Sequence, residues 1–408
     1  MQPEHAELFH VEHYDKVTRF IELVEAGNSA AVRKFTAICN QAVRGRVHGG
    51  YSFNGAGQTG RFSSRGIQVH NIIRAPVEKG NPDRAIDAIE MVMDGASPDE
   101  LRDEFGYPIS RLLARLIRPT FVAPPGRMLV WADWDQIEGR ALPWLAHSHS
   151  AEQKLDQYRQ GIDVYSVTAA DIAGCAQSDV DDAMRAALGK VPELALGFGG
   201  AVGALSAMSR SYGVTLTEDE KPLIVSRWRG LNPWAEAFWY QLRDASLAAY
   251  HQPGEWFQAG RVQYLYHPQL MYGTLICRLP DSRWLVYPQF RYELVEYENE
   301  DGTTWSRWES SFRKGYGSGS ARVSLWYGML AENITQATAA SVLREALNRL
   351  DSDIDVVLHT HDEIVCECSE RDVNKTRRIL ESAMTHSPLW ADTLPLSVTV
   401  EHGPFYTK

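Results

Sequence analysis

The stretch MLVWADWDQIEGR, Met128–Arg140, decides how the chain is read. Its apolar run, Met128 to Ala132, reads as a buried strand, yet it ends in two carboxylates, Asp133 and Asp135. An acid at the end of a buried strand is costly unless it is paired or binds a cation. Residues two apart on a strand share a face, so spacing alone pairs Asp133 with Asp135. A second strand-borne acid, Asp362, lies far downstream in DIDVVLHTHDEIVCEC, in the turn between Val356-Val357-Leu358 and Ile364-Val365-Cys366. Two carboxylates converging from different strands offer hard oxygen ligands for a pair of Mg²⁺ ions and leave positions open for phosphates. The bland alternative is that each acid caps a turn on a solvated sheet edge.

Around these segments the chain is that of an ordinary globular protein. It has 408 residues, 44% hydrophobic and 23% charged, enough for more than one core. No apolar run is long enough to span a membrane, and the N-terminus, MQPEHAELFHVEHYDK, is polar and acidic, unlike a signal peptide. Five cysteines, with Cys366 and Cys368 alternating on a strand, read as reduced thiols of a cytoplasmic protein. The net charge of −11 argues against indiscriminate polyanion binding. Basic residues nevertheless gather at Arg44 to Arg74 and Arg313 to Arg322, so one basic groove remains open to a nucleic acid.

Periodicity and punctuation predict an α+β core with an inserted helical subdomain. A helix capped by Asn28 or Ser29 should run to about Arg44. Loop and short strands fill Gly50 to Arg74, and helices fill Asp83 to Met93 and Asp99 to Ile117. Helices dominate Ala151 to Tyr250, with Ser178 and Asp181 as an S-x-x-D capping box ahead of Ala183 to Leu196; Pro192 should kink that helix or remove one of its bonds. Strands return at Val262 to Tyr266 and Leu275 to Tyr287. A glycine- and charge-rich loop is expected from Glu298 to Ser320, where Lys and Arg either contact template or are simply solvated. A long helix from Ser324 to Leu350, a strand–turn–strand unit, a helix near Asp372 to Thr385 and a last strand, Leu396 to His402, close the chain.

Four ordered motifs resemble those of the family A DNA polymerases, the bacterial DNA polymerase I group. The family's D-Y-S-Q-I-E-x-R appears as Asp133-Trp134-Asp135-Gln136-Ile137-Glu138-Gly139-Arg140, and its H-D-E as His361-Asp362-Glu363. The segment TGRFSSRGIQVHN is similar to T-G-R-x-S-S…N, with Arg61 and Asn71 at the family spacing, and ENITQATAAS resembles the helix whose glutamine, here Gln336, contacts the duplex. The fingers pattern, R-x₃-K-x₃-(F/Y)-x₃-Y-G, fits less well. Lys190, Leu194 and Phe198 recur every four residues, but Arg185 precedes Lys190 by five, which on an ideal helix turns it about 140° away. Leu194 replaces the aromatic beside the incoming nucleotide, and Phe198 lacks the tyrosine hydroxyl. The closest phrases are those of bacteriophage members.

The resemblance implies a right-hand polymerase: a palm with an antiparallel sheet, helical fingers and a truncated thumb. Residues 1–46 would be the thumb remnant, 47–147 the first part of the palm with a helical insertion at about 77–117, 148–320 the fingers and a connecting hairpin, and 321–408 the second part of the palm. It implies DNA-directed nucleotidyl transfer to a primer 3′-hydroxyl with two Mg²⁺ ions, for which Mn²⁺ can substitute. Asp133, Asp362 and the Trp134 carbonyl would be the metal ligands, and Lys190 would neutralise the departing pyrophosphate. Gln136, Glu138, Arg185, Lys190, Leu194 and Phe198 would contact the deoxynucleoside triphosphate, with Glu138 as the steric gate against a 2′-hydroxyl. Arg61, Asn71, Gln336, His361 and Glu363 would contact primer-template DNA. Asp135, at the family's serine position, is not expected to be a primary metal ligand. No acidic exonuclease cluster precedes Arg61, so a separate polypeptide supplying exonuclease and thumb is a further expected partner. A phage enzyme of this kind would work in the cytoplasm of a bacterial host. The competing readings are a single-subunit RNA polymerase, against which Glu138 and the T-G-R segment speak, and a non-catalytic DNA-binding remnant.

Overall fold

A computed structural model describes residues 30–299, 301–315, 321–350 and 354–407. The predicted caps Asn28 and Ser29, and most of the thumb remnant, lie outside the described residues. The first described helix, α1 (Ala30–Gln41), ends in a two-residue hairpin, β1 (Ala42–Val43) and β2 (Arg46–Val47), turned by Arg44 and Gly45 at positive φ. A second hairpin, β3 (Tyr51–Ala56) and β4 (Arg61–Ser64), carries the T-G-R turn. Three short helices, α2 (Asp83–Met93), α3 (Pro98–Phe105) and α4 (Ile109–Leu116), pack on a small core of their own built from Ala88, Leu101 and Leu112. Ser97 and Glu100 make a capping box at the start of α3 and Gly106 ends it, which splits the single helix expected over Asp99 to Ile117.

The central sheet then begins with β5 (Arg127–Trp134). Its strand order is β13-β14-β5-β15, all antiparallel, where β13 (Asp355–His359), β14 (Glu363–Ser369) and β15 (Val398–Gly403) come from the end of the chain. Leu129 to Ala132 are all buried because β5 has neighbours on both edges and cover on both faces. The pleat sorts them: Val130, Ala132 and Trp134 enter the main core, whereas Leu129 and Trp131 join Leu358, Val365 and Tyr406 on the other side. Asp133 follows Leu129 and Trp131 in that alternation, so it emerges at the end of the smaller face.

Helices α5 (Ile137–Ala146), α6 (His149–Arg159) and α7 (Val164–Ala173) lead to a helix that runs from Asp182 to Leu196. Asp181 alone caps that helix, its carboxylate accepting from the Met184 amide at 2.7 Å, while the Ser178 hydroxyl turns to Asp179; the capping box is not formed. Inside it, Arg185–Lys190 is a π-helix that passes into α8 (Val191–Leu196) at Pro192. Beyond lie α9 (Val202–Ser211), α10 (Glu220–Leu231) and α11 (Pro233–His251). A four-stranded sheet follows in the order β6 (Phe257–Ala259), β7 (Val262–His267), β8 (Thr274–Arg278) and β9 (Trp284–Pro288), with residues 279–283 joining the last two strands.

Within the expected loop at residues 298–320, Thr304–Arg313 is strand. β10 (Arg291–Glu298) and β11 (Thr304–Arg313) pair over eight positions, and β12 (Arg322–Ser324) adds a third strand. Helix α12 (Tyr327–Leu350) buries residues on every side and threads the main core, and α13 (Val373–Thr385) covers β5 and β15. All five cysteines are free thiols. Among the described residues no helix is long and apolar enough to cross a membrane.

Candidate active site

The register of the central sheet joins the two acids. Glu363 of β14 pairs with Asp133 of β5, and the Trp134 amide donates to the Asp362 carbonyl at 2.9 Å. Both side chains then meet one cation, Arg74. Its Nη1 lies 3.3 Å from Asp362 Oδ2 and 3.9 Å from Asp133 Oδ1, Nη2 is bonded to Asp362 Oδ1, and Nη2 also donates to Thr360 Oγ1 at 3.2 Å. Burial disfavours the Arg74 charge, but the bond and charge of Asp362, with Asp133 and Glu363 behind it, outweigh that and raise its pKa. Arg74 ends the basic stretch noted in the sequence, yet no spacing tied it to the acids.

Asp135 takes a different path. Its carboxylate accepts from the hydroxyls of Ser397 at 2.5 Å and Thr399 at 2.9 Å, and its amide donates to the Ser397 carbonyl. It fastens β15 to the end of β5 instead of joining Asp133. Glu363 corrects an expectation. It is 0% exposed and accepts from the Tyr406 hydroxyl at 2.5 Å, with Arg118 Nη1 at 3.7 Å. A carboxylate sealed under the sheet has no surface with which to flank a primer; its place in the fold is to hold the C-terminal Tyr406 and Arg118 beneath the hairpin.

A cavity of about 370 Å³ opens beside Asp362 and brings together Arg61, Trp134, Gln136, Glu138, Leu194, Phe198 and His361. Glu138 is ion-paired with Arg61. Burial raises the Glu138 carboxyl above its ordinary range, against the pull of Arg61. Gln136 sits at φ 55° and ψ 46°, and its side chain accepts from the Tyr158 hydroxyl at 3.2 Å. His361 packs on His70 with ring centroids 4.6 Å apart. Burial, then Arg61, holds the His361 imidazole down to about 4; burial, then His361 and Arg61, does the same to His70. Asn71 and Gln336 lie outside this cavity: Asn71 donates to Gln68 at 3.3 Å, and Gln336, on α12, donates to Glu332 at 3.0 Å. His70, Tyr158 and Tyr165 also wall the cavity and were not singled out from the sequence, since a lone His or Tyr in a polar run carries no spacing signal.

The helix opposite corrects the expected position of Arg185. In the π-helical segment the Val191 amide bonds the Ala186 carbonyl, five residues back. Residues five apart therefore recur on one face there, as residues four apart do in an α-helix. The extra residue between Arg185 and Lys190 is absorbed, and Arg185 turns toward the face of Lys190 rather than 140° from it. The Lys190 pKa accordingly falls, through burial first and then through Arg185 and Lys79. Its ammonium lies 4.7 Å from the centroid of the Tyr212 ring. Arg185 is held bidentately by Asp163, the cap of α7, with Nε–Oδ2 at 2.5 Å and Nη2–Oδ1 at 3.1 Å. The backbones come close enough that a Cβ on Gly189 would lie 2.1 Å from the Tyr165 carbonyl oxygen. Leu194, 38% exposed, and Phe198 face the cavity.

Among the described residues no group of three or more Asp, Glu, His or Cys is placed to hold a metal. The donors that do converge are two carboxylates already sharing one positive charge, with the Trp134 main chain beside them. Hard oxygen donors in that small number suit Mg²⁺, which keeps its remaining positions for water and substrate phosphates.

The cavity thus lies between Asp362 and the Leu194 end of the helix that also bears Lys190; Asp133, Arg185 and Lys190 are not among its lining residues. The sequence profile described as DNA polymerase family A matches residues 6–207. The chain is similar to that family over just under half of its length. It is similar to the DNA polymerase of Bacillus phage SP02, at 29% identity over 400 residues, covering 97% of this chain and 58% of that protein. It is also similar to DNA polymerase I of Pseudomonas aeruginosa, at 27% identity over 304 residues, covering 72% of this chain and 26% of that protein. The chain thus spans under three fifths of the phage relative's length. The fold is shared with the POL domain of Pol1 from M. smegmatis, solved in complex with DNA primer-template and dNTP, at a TM-score of 0.57 and 17% identity, covering 91% of this chain and 50% of that one.

Proposed function

We propose that the chain is a template-directed DNA polymerase that adds deoxynucleotides to a primer 3′-hydroxyl and releases pyrophosphate. The observation that carries this reading is the convergence of Asp133 and Asp362 on a single cation, with Asp362 at a cavity that Glu193, Leu194 and Phe198 help to wall. In this reading the central sheet is the palm, and the helices and sheets of residues 148–320 are the fingers. Asp133, Asp362 and the Trp134 carbonyl would hold two Mg²⁺ ions, or Mn²⁺ in their place. Bound there, the ions supply the positive charge that eases loss of the primer hydroxyl proton and stabilises the leaving oxygen.

The chain's own residues do the rest. Arg74 vacates the carboxylates when the site fills and remains beside them as a donor to phosphate. Lys190, with Arg185 and Lys79 near it, gives the triphosphate a basic wall, and a flexible ammonium suits charge that develops on pyrophosphate. Arg61 orients the Glu138 carboxylate, which crowds a 2′-hydroxyl and so favours deoxynucleotides. Gln136, Leu194 and Phe198 shape the nucleotide pocket, and Arg61, Asn71, Gln336 and His361 face the duplex. Minor-groove acceptors vary little with sequence, so such contacts tolerate any base pair. The setting would be the cytoplasm of a bacterial host during phage replication.

Primer extension on a primed template, with Mg²⁺ and with EDTA, tests the reading. Asp133→Ala or Asp362→Ala should lower extension by at least about 10³-fold, the scale of losing an essential electrostatic group, while DNA binding stays near normal. Extension that survives either change sinks the ligand assignment.

A further inference from the structure

The three-stranded sheet β10-β11-β12 is the feature that the polymerase reading leaves unused. Its register puts Arg291 opposite Ser311, Val295 opposite Arg307, Tyr297 opposite Trp305 and Arg313 opposite Arg322. Alternate residues of a strand share a face. All four arginines of these strands therefore lie on one face, together with Tyr297 and Trp305. The opposite face carries Glu296 and Glu298 and no basic residue. In a chain of net charge −11 this is a segregated basic surface.

Its chemistry is specific. Tyr297 and Trp305 stack at 4.7 Å with their planes 20° apart, and the Arg307 guanidinium lies 5.3 and 5.5 Å from their centroids. Trp305 remains 43% exposed, and the side chains of Arg291 and Arg307 are about 60% exposed. The two acids of this face are engaged locally, Glu293 with Arg291 at 3.8 Å and Glu309 with Arg307 and the Tyr297 hydroxyl. Arg322 is held by neutral acceptors, Ser311 Oγ at 2.9 Å and the Gln289 carbonyl at 3.1 Å. Burial lowers its pKa, the charge of Arg291 lowers it further, Glu293 opposes that, and Arg313 adds to the lowering. The sheet is not remote from the site. β11 packs on β9, and the Val286 carbonyl of β9 accepts from Gln58 in the T-G-R turn at 3.1 Å.

We propose that this face binds single-stranded DNA, the unpaired template beyond the duplex; the inference rests on the polymerase reading. Arginines spaced along a pleated face meet successive phosphates, and an exposed aromatic pair gives bases a platform, the combination that retains single strands without reading their sequence. A protein partner is disfavoured, because the arginine-rich face offers little apolar area to bury.

The test uses the full chain in EDTA and follows the anisotropy of a labelled oligo-dT across a salt series. Arg291→Gln with Arg307→Gln should weaken binding roughly tenfold and flatten the salt slope by about 0.7 per arginine removed. Trp305→Ala should weaken it to a similar degree, and Trp305→Phe should restore it. Thermal melting checks that each variant is folded. Extension on a template with a very short overhang should be unchanged in all of them. Unchanged oligo-dT affinity and salt slope in folded variants overturn the inference and leave the polymerase reading intact. If the unaltered chain fails to extend even the short-overhang template, it is the polymerase reading that falls.

Discussion

At the scale of single residues, the site is a balance of charge. Asp133 and Asp362 are held together by Arg74, which on the proposed reading a divalent cation would replace. Removing it leaves two carboxylates facing each other. Arg74→Gln should therefore lower stability in EDTA by about 1 kcal/mol, a modest figure because these side chains are partly solvated. Millimolar Mg²⁺ should return most of the loss. Urea denaturation with and without the metal measures both; equal destabilisation in the two conditions would mean that Arg74 is merely a packing residue. The sequence made Asp133 and Asp362 legible, because acids at the ends of apolar strands are conspicuous. It did not reveal Arg74, whose partner choice depends on a loop crossing the sheet. Nor did it reveal the burial of Glu363, which depends on Tyr406 from the far end of the chain.

At the scale of elements, the helix that runs from Asp182 to Leu196 is fixed by its closest neighbour. A Cβ at residue 189 would collide with the Tyr165 backbone, and backbone cannot step aside as a flexible side chain can. Gly189→Ala should cost about 1–3 kcal/mol, the usual range for overpacking, read as a lower urea midpoint with unchanged slope. A wild-type midpoint would mean that the two segments are free to separate. Most elements followed from their patterns: β5, β8 and β9, the hairpin around Asp362 and helix α13 all lie within a few residues of where periodicity puts them. Others did not, and two of these have further physical reasons. The strand Thr304–Arg313 has one arginine-rich face and one mostly polar face, so it lacks the apolar alternation that announces a strand. The π turn has no sequence signature of its own; it is a response to one residue too many between two anchored ends.

At the scale of the whole molecule, pH acts through buried histidines. His70, His359 and His361 form a cluster with Tyr51, and burial, reinforced in each by neighbouring charge, holds each imidazole down to about 4 against an ordinary value near 6.5. The folded chain keeps them neutral where the unfolded chain has already taken up protons. Stability from this source is therefore intact above about pH 6.5 and is lost as pH falls toward 4. Urea midpoints should drop between pH 7 and pH 5, and His70→Gln should make that drop shallower. A drop of the same steepness in the variant would assign the effect to other groups. The assembly of the site from distant segments was legible only through the resemblance. Spacing alone paired Asp133 with its near neighbour Asp135, whereas the sheet order β13-β14-β5-β15 pairs it with Glu363 and so sets it beside Asp362.

The π turn also bears on descent. Adding one residue to an α-helix rotates everything beyond it by about 100°, so a lineage that gained a codon here would ordinarily lose either Arg185 or Lys190 from the working face. The wider turn hides the extra residue from the rest of the protein. Length and geometry are thereby uncoupled in this helix. Relatives that lack the residue are to be matched to this chain by position in space, with a gap allowed inside the helix, or Arg185 will be aligned with the wrong ancestor.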